Sequence, residues 1–111
     1  MKYQMKNKEK IYVAGHNGMI GSAIIKNLKK NEKYKLIYQT KNKLNLINQK
    51  DVFNFLKIKK PDGVILAAAK VGGIYANNSE RASFIYENIS IQSNVIHGSY
   101  LAGVKNLIFL G

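Results

Sequence analysis

The stretch Ile11-Tyr12-Val13-Ala14-Gly15-His16-Asn17-Gly18-Met19-Ile20-Gly21 decides the architecture of this chain. Its first four residues form a short apolar run bounded at once by glycine, which reads as a buried strand. Glycines 15, 18 and 21 then stand in a G-x-x-G-x-x-G spacing directly before a helical pattern. Each has a physical task if the turn cradles a pyrophosphate. Gly15 allows the tight turn out of the strand. Gly18 removes a side chain where phosphate must approach backbone N–H groups, and Gly21 lets the helix lie close on the strand. The helix N-terminus adds partial positive charge. A glycine triplet by itself also suits a plain structural turn; its place between the strand and helix of a first βαβ unit points to dinucleotide binding.

Outward from this stretch the chain alternates. Residues 19 to 31 set Ile20, Ile24 and Leu28 on one helical face, with Lys26, Lys29 and Lys30 opposite. Leu36-Ile37-Tyr38 is the next strand. Asn48 reads as an N-cap, with Asp51 completing a variant capping box, and Val52, Phe55 and Leu56 form that helix's apolar stripe. Pro61-Asp62-Gly63 is a turn into the continuously apolar strand Val64-Ile65-Leu66-Ala67. A loop from Lys70 to Asn78 leads to a helix that Ser79 would cap and that runs to about residue 101. This helix is apolar along two lines, Ile85/Ile89/Ile96 and Phe84/Ile91/Val95, so its own sheet cannot cover it all. Residues 106 to 110 are a fourth strand. Strand and helix in alternation predict an α/β fold, a doubly wound parallel sheet with right-handed crossovers.

A chain of 111 residues is one domain or less. Residues 1–9 read as a basic tail and 10–111 as the domain. With 46% apolar and 22% charged residues, the composition is that of an ordinary globular protein. No apolar run approaches the roughly 20 residues of a membrane span, and MKYQMKNKEK lacks the apolar core of a secretory signal. Cysteine is absent, which excludes disulfides, thiolate metal clusters and cysteine nucleophiles; no metal site is expected, and the location defaults to cytoplasm. The formal net charge of +12 invites a nucleic-acid reading. Against it, Arg81 is the single arginine, and the lysines scatter along the chain. A solvated lysine coat explains them better than a base-reading surface, so no nucleic acid and no membrane is expected as partner.

The end of the second strand bears on which dinucleotide binds. An NAD site usually places Asp or Glu there to accept from the ribose 2′-OH. Here the residues are Tyr38-Gln39-Thr40-Lys41-Asn42-Lys43, with no acid and two lysines. This favours NADP(H) over NAD, although two ordinary surface lysines would look the same.

Four blocks carry a family resemblance: residues 14–24 around Gly15-His16, then Leu44-Asn45-Leu46, then Ala67-Ala68-Ala69-Lys70-Val71-Gly72-Gly73-Ile74 continuing to Ala76-Asn77-Asn78, and Phe84-Ile85-Tyr86 followed by Asn88. Together they resemble the GDP-L-fucose synthase family of the extended short-chain dehydrogenases/reductases, from residue 10 onward. The glycine block fits many extended reductases and sugar-nucleotide epimerases; the Ala-Ala-Ala-Lys-Val-Gly-Gly-Ile block is narrower. The resemblance implies a Rossmann-type sheet, truncated at about four strands and three helices. It implies an NADPH-dependent enzyme that epimerises GDP-4-keto-6-deoxy-D-mannose at carbons 3 and 5 and reduces carbon 4. Residues Gly15, His16, Asn17, Gly18, Met19, Ile20 and Gly21 would cradle the pyrophosphate. Lys41, Asn42, Lys43, Leu44, Asn45 and Leu46 would line the adenosine end. Ala67, Ala68 and Ala69 would pass beneath the ribose, and Leu110 and Gly111 would approach the nicotinamide. Val71, Gly72 and Gly73 would lie near the sugar. The family pairs into homodimers through the helix corresponding to residues 79–101.

Two departures matter. Asn17 and Lys41 stand where the bacterial family commonly carries arginine, so the charge meant for a 2′-phosphate is reduced at 17 and lacks its bidentate fork at 41. The family's hydride chemistry also needs a Ser and a Tyr-x-x-x-Lys pair, with Tyr as general acid. That Ser would follow Gly111 and the pair lies later still, as do the Cys and His assigned to epimerisation. Tyr100 and Lys105 are i, i+5, the wrong spacing. His16 reads as structural, and His97 as an ordinary helix residue. The expectation is therefore an N-terminal cofactor-binding part with no catalytic residue and no turnover of its own, arising from a truncated or split gene or an incomplete record. Three alternatives stay open: another nucleotide-sugar epimerase or dehydratase of the superfamily, a non-catalytic nucleotide-binding module, and a basic nucleic-acid binder, which a steep salt dependence of DNA binding would reveal.

Overall fold

The structure, a computed structural model, describes residues 8–67 and 78–110, without the side chains of 78–81 and 84. Among the described residues the chain forms β1 (Glu9–Ala14), α1 (Met19–Leu28), β2 (Tyr34–Ile37), α2 (Gln49–Lys59), β3 (Gly63–Leu66), α3 (Asn78–Leu101) and β4 (Asn106–Phe109). All pairings are parallel, in the order β2-β1-β3-β4. This is the expected Rossmann-like doubly wound sheet, and β1 begins at Glu9. The order reverses between β1 and β3, and such a switch point opens a crevice beyond the carboxyl ends of those two strands.

Side-chain alternation divides β1 between two layers. Tyr12 and Ala14 join Val64 and Leu66 of β3, Val52 and Leu56 of α2, Val95 of α3 and Leu44 in one buried cluster. Val13 points the other way and is fully buried, on the side where α1 packs and Ile25 is buried. Burying each large aliphatic side chain contributes about 1.5–3 kcal/mol, so this two-sided burial of β1 anchors the fold.

The local signals act mostly as anticipated. The Asn48 side chain accepts from the Asp51 N–H at 3.1 Å, capping α2. The capping is one-sided: the Asn48 N–H donates to the Asn45 carbonyl at 3.0 Å. At the other end Lys60 takes a left-handed conformation (φ 47°), and its N–H donates to the Leu56 carbonyl before Pro61 stops the helix. Asp62 then ties β3 to β1: the Lys10 N–H donates to its Oδ2 and its own N–H donates to the Lys10 carbonyl, both at 2.8 Å.

Several boundaries differ from expectation. Helix α1 ends at Leu28, because Lys30 and Asn31 turn back onto the carbonyls of Asn27 and Leu28. Its buried residues are Gly21 and Ile25, whereas Ile20 is 56% exposed; the close seat of Gly21 on the turn after β1 sets the helix's rotation. β2 spans residues 34–37 and leaves Tyr38 beyond it. Gly63, expected in a turn, is the buried first residue of β3, and Ala67 follows that strand. α3 begins at Asn78, so Ser79 lies inside the helix rather than capping it. The loop expected from 70 to 78 lies, up to residue 77, outside the described residues. Of the two apolar lines on α3, Val95 is fully buried and Ile91 packs against the core, while Ile85 (55%), Ile89 (56%) and Ile96 (38%) are exposed. β4 pairs with β3 alone, and every residue in it is exposed.

Candidate dinucleotide site

At the switch point lies a cavity of about 340 Å³. Tyr12 and Ala67 approach it from the two central strands, Gly15, His16, Asn17 and Gly18 from the turn after β1, and Glu87 and Ile91 from α3. Gln39, Lys41 and the run Leu44 to Ile47 supply the wall beyond β2.

The glycine turn has the geometry an anion needs. Gly15 has φ +91°, a conformation L side chains rarely adopt. The Gly18 N–H closes the turn onto the Gly15 carbonyl at 3.1 Å, and Gly18 is the N-cap of α1. A Cβ on Gly21 would fall on the Gly15 carbonyl oxygen, so only glycine lets α1 sit against the turn. A Cβ on Gly18 would meet nothing closer than 3.5 Å. Packing inside the chain does not require that glycine; a ligand resting on the turn would. The first turn of an α-helix leaves N–H groups without intrahelical acceptors. Here no side chain caps them, and no acid lies in that turn. A set of amide donors with no side-chain cap, at the positive end of a helix dipole, is the chemistry of a pyrophosphate seat. The residues present therefore fit a dinucleotide.

His16 is held by its neighbour. Its ring stacks on Tyr38 with centroids 5.0 Å apart and planes 29° apart, and the Lys29 ammonium lies 5.9 Å from the Tyr38 ring centre. Lys41 is the cation among the lining residues and Glu87 the carboxylate; the Ser83 hydroxyl donates to Glu87 Oε2 at 3.4 Å. Burial pushes the Tyr12 phenol well above its ordinary pKa, so it stays neutral under the cavity.

Of the residues expected from sequence, Gly15, His16, Asn17, Gly18, Lys41, Leu44, Asn45, Leu46 and Ala67 come together around this cavity. Met19, Ile20 and Gly21 form the first turn of α1, outside the lining, and the Met19 side chain is 88% exposed. Asn42 and Lys43 are exposed on the turn closed by the Thr40 carbonyl. Leu110 is half-buried, its N–H donating to the Leu66 carbonyl. Ala68, Ala69, Val71, Gly72, Gly73 and Gly111 lie outside the described residues. Sequence reading missed Tyr12, Gln39, Ile47, Glu87 and Ile91 as lining residues. Alternation along β1 could have found Tyr12, two residues before Ala14 on the same face; the others depend on how α3 and the 39–47 segment fold over the sheet. Among the described residues, no three His, Asp or Glu side chains converge as a metal site would require. No helix there is long and apolar enough to cross a membrane.

Known proteins resemble the chain closely. It is 53% identical over 102 residues to GDP-L-fucose synthase 1 of Arabidopsis thaliana, covering 92% of this chain and 32% of that one. It is 45% identical over 105 residues to the GDP-L-fucose synthase of Escherichia coli, covering 95% and 33%. It thus spans about a third of the length of these curated relatives. Among solved structures, the GDP-mannoheptose C4 reductase MlghC from Campylobacter jejuni with NADP bound superimposes with a TM-score of 0.87 at 46% identity, covering 97% of this chain and 34% of that one. The model of the NAD dependent epimerase/dehydratase family matches residues 11–111, and this chain belongs to that family.

Proposed function

We propose that the chain is the NADP(H)-binding portion of a GDP-L-fucose synthase, within which it would serve the conversion of GDP-4-keto-6-deoxy-D-mannose. The observation that carries this reading is the uncapped N-terminus of α1 behind the Gly15–Gly18 turn, opening into a cavity that Lys41 lines from beyond β2. When bound, NADPH supplies a hydride. The residues of this chain do the holding: the α1 amides meet the pyrophosphate, Lys41 and Asn17 face the 2′-phosphate, and Leu44 to Leu46 take the adenosine. Residues 10–111 act as the N-terminal part of the cofactor domain behind a basic tail. Val71–Gly73 are assigned to the sugar, and Ala68, Ala69, Leu110 and Gly111 to the cofactor's ribose and nicotinamide. A homodimer through residues 79–101 is part of the same reading, supported by the exposed Ile85/Ile89/Ile96 line. A cysteine-free chain needs no oxidising compartment, which accords with a cytoplasmic location.

The sequence contains no Tyr-x-x-x-Lys. Isothermal titration of the 111-residue chain should therefore show NADP⁺ and NADPH binding more tightly than NAD⁺, while assays with GDP-4-keto-6-deoxy-D-mannose show no NADPH oxidation above background. Equal or absent affinity for the dinucleotides would overturn the first half, and turnover the second.

A second reading rests on the likeness to the GDP-mannoheptose C4 reductase, whose identity to this chain matches that of the Escherichia coli fucose synthase. Both readings share the NADP site and part at the sugar. Titration with GDP-mannoheptose beside GDP-4-keto-6-deoxy-D-mannose separates them.

A further inference from the structure

The cavity wall beyond β2 is tethered from a distance. Asn94 lies on α3, is 6% exposed and is not itself a lining residue. Its Nδ2 donates to the Leu46 carbonyl at 2.8 Å and to the Ile47 carbonyl at 3.0 Å. A side-chain amide nitrogen has two donors, and both are spent on this wall, 48 and 47 residues away in sequence.

The wall's own bonds run another way. The Leu44 N–H donates to the Thr40 carbonyl at 2.9 Å, the Ile47 N–H to Asn45 Oδ1 at 3.1 Å, and the Asn48 N–H to the Asn45 carbonyl at 3.0 Å. These bonds shape the turn but do not fix its distance from α3. The Leu46 and Ile47 carbonyls do that through Asn94, alongside the packing of Leu44 with Val95 of α3 in the core cluster. Ile91, one turn earlier on α3, lines the same cavity. Helix and wall are thus locked together beside the ligand space.

We propose that Asn94 is a positioning residue for the adenosine end of the dinucleotide: it sets the spacing between α3 and the Leu46–Ile47 backbone without touching the ligand. This rests on the dinucleotide reading above. Removing the amide leaves two carbonyls without their donor, and the wall relaxes toward or away from the adenosine. That loss should fall on ligands carrying adenosine and spare the nicotinamide half.

The experiment compares the wild-type chain with Asn94→Leu and Asn94→Asp, both of similar volume, by titration with NADP⁺, 2′,5′-ADP and nicotinamide mononucleotide well below each variant's thermal midpoint. Affinity for NADP⁺ and 2′,5′-ADP should fall about tenfold in both variants, with nicotinamide mononucleotide unchanged. A purely structural asparagine would lower the midpoint and leave all three affinities as in wild type, which overturns the proposal. If neither variant folds, the wild type still decides: the Asn94 side-chain amide protons should exchange slowly and become more protected on adding 2′,5′-ADP, and exchange at the solvent rate in both states would overturn the proposal. A wild type that binds neither NADP⁺ nor 2′,5′-ADP overturns the dinucleotide reading and takes this proposal with it. A wild type that binds both, beside variants that bind equally well, overturns this proposal alone.

Discussion

Strands β1 and β4 read alike and fare differently. The run Tyr12-Val13-Ala14 is almost completely buried, whereas Leu107, Ile108 and Phe109 are 38%, 53% and 46% exposed. Both are short and apolar, and both pair with β3. The difference is position: β1 has strands on both sides and helical layers on both faces, while β4 has one neighbouring strand and little above or below it. Apolarity states a strand's demand for cover. Whether other elements meet that demand is a property of topology. Helix α3 repeats the lesson within one element, with Val95 fully buried and Ile89 more than half exposed.

The contrast can be broken most sharply in the core. Leu56→Ala removes a fully buried side chain between α2 and the sheet and should cost about 2–5 kcal/mol in urea denaturation, while Leu107→Ala on β4 should cost less than about 1 kcal/mol. Equal losses would mean that β4 is covered as well as the core between α2 and the sheet.

Gly21→Ala tests the turn after β1. The new methyl group collides with the Gly15 carbonyl, a backbone atom that cannot swing aside. The expected loss is about 3 kcal/mol of stability, with NADP⁺ binding weakened more than tenfold because α1 must lift off its seat. Unchanged calorimetric affinity would show that the seat is looser than its geometry implies.

Lys41→Glu leaves the fold alone, since the side chain is exposed, and reverses the charge at the cavity. NADP⁺ affinity should fall about tenfold, with NAD⁺ much less affected and the difference shrinking at high salt. Parallel loss for both dinucleotides would place the lysine elsewhere than beside the 2′-phosphate. Ile89→Lys on the outer line of α3 should likewise leave stability within about 0.5 kcal/mol of wild type. Sedimentation should show it shifting the chain toward monomer; a variant that associates as the wild type does would remove the exposed line from the proposed homodimer.

Much of this was readable because it is local. The glycine spacing foretold both the turn at Gly15 and the close seat of Gly21, since those depend on atoms a few residues apart. The Asn48 cap was visible for the same reason. On α1, Ile24 and Leu28 are half-buried as their periodicity predicts, while Ile20 is exposed and Gly21 and Ile25 are the buried residues, because the helix sits with its glycine against the turn. Nothing near Asn94 in the chain hints at its partners, which lie 48 and 47 residues away.

Order along the polypeptide, the alternation of strand and helix and the bare phosphate-type turn were set by residue type and spacing alone, because short-range sterics and backbone hydrogen bonding act over a few residues. Which apolar stripe of α3 is covered, which strand is left as an edge, and which carbonyls the buried amide of Asn94 serves were settled by the assembled layers. Those outcomes depend on surfaces meeting across long sequence separations, where burial rewards a match that no local pattern encodes.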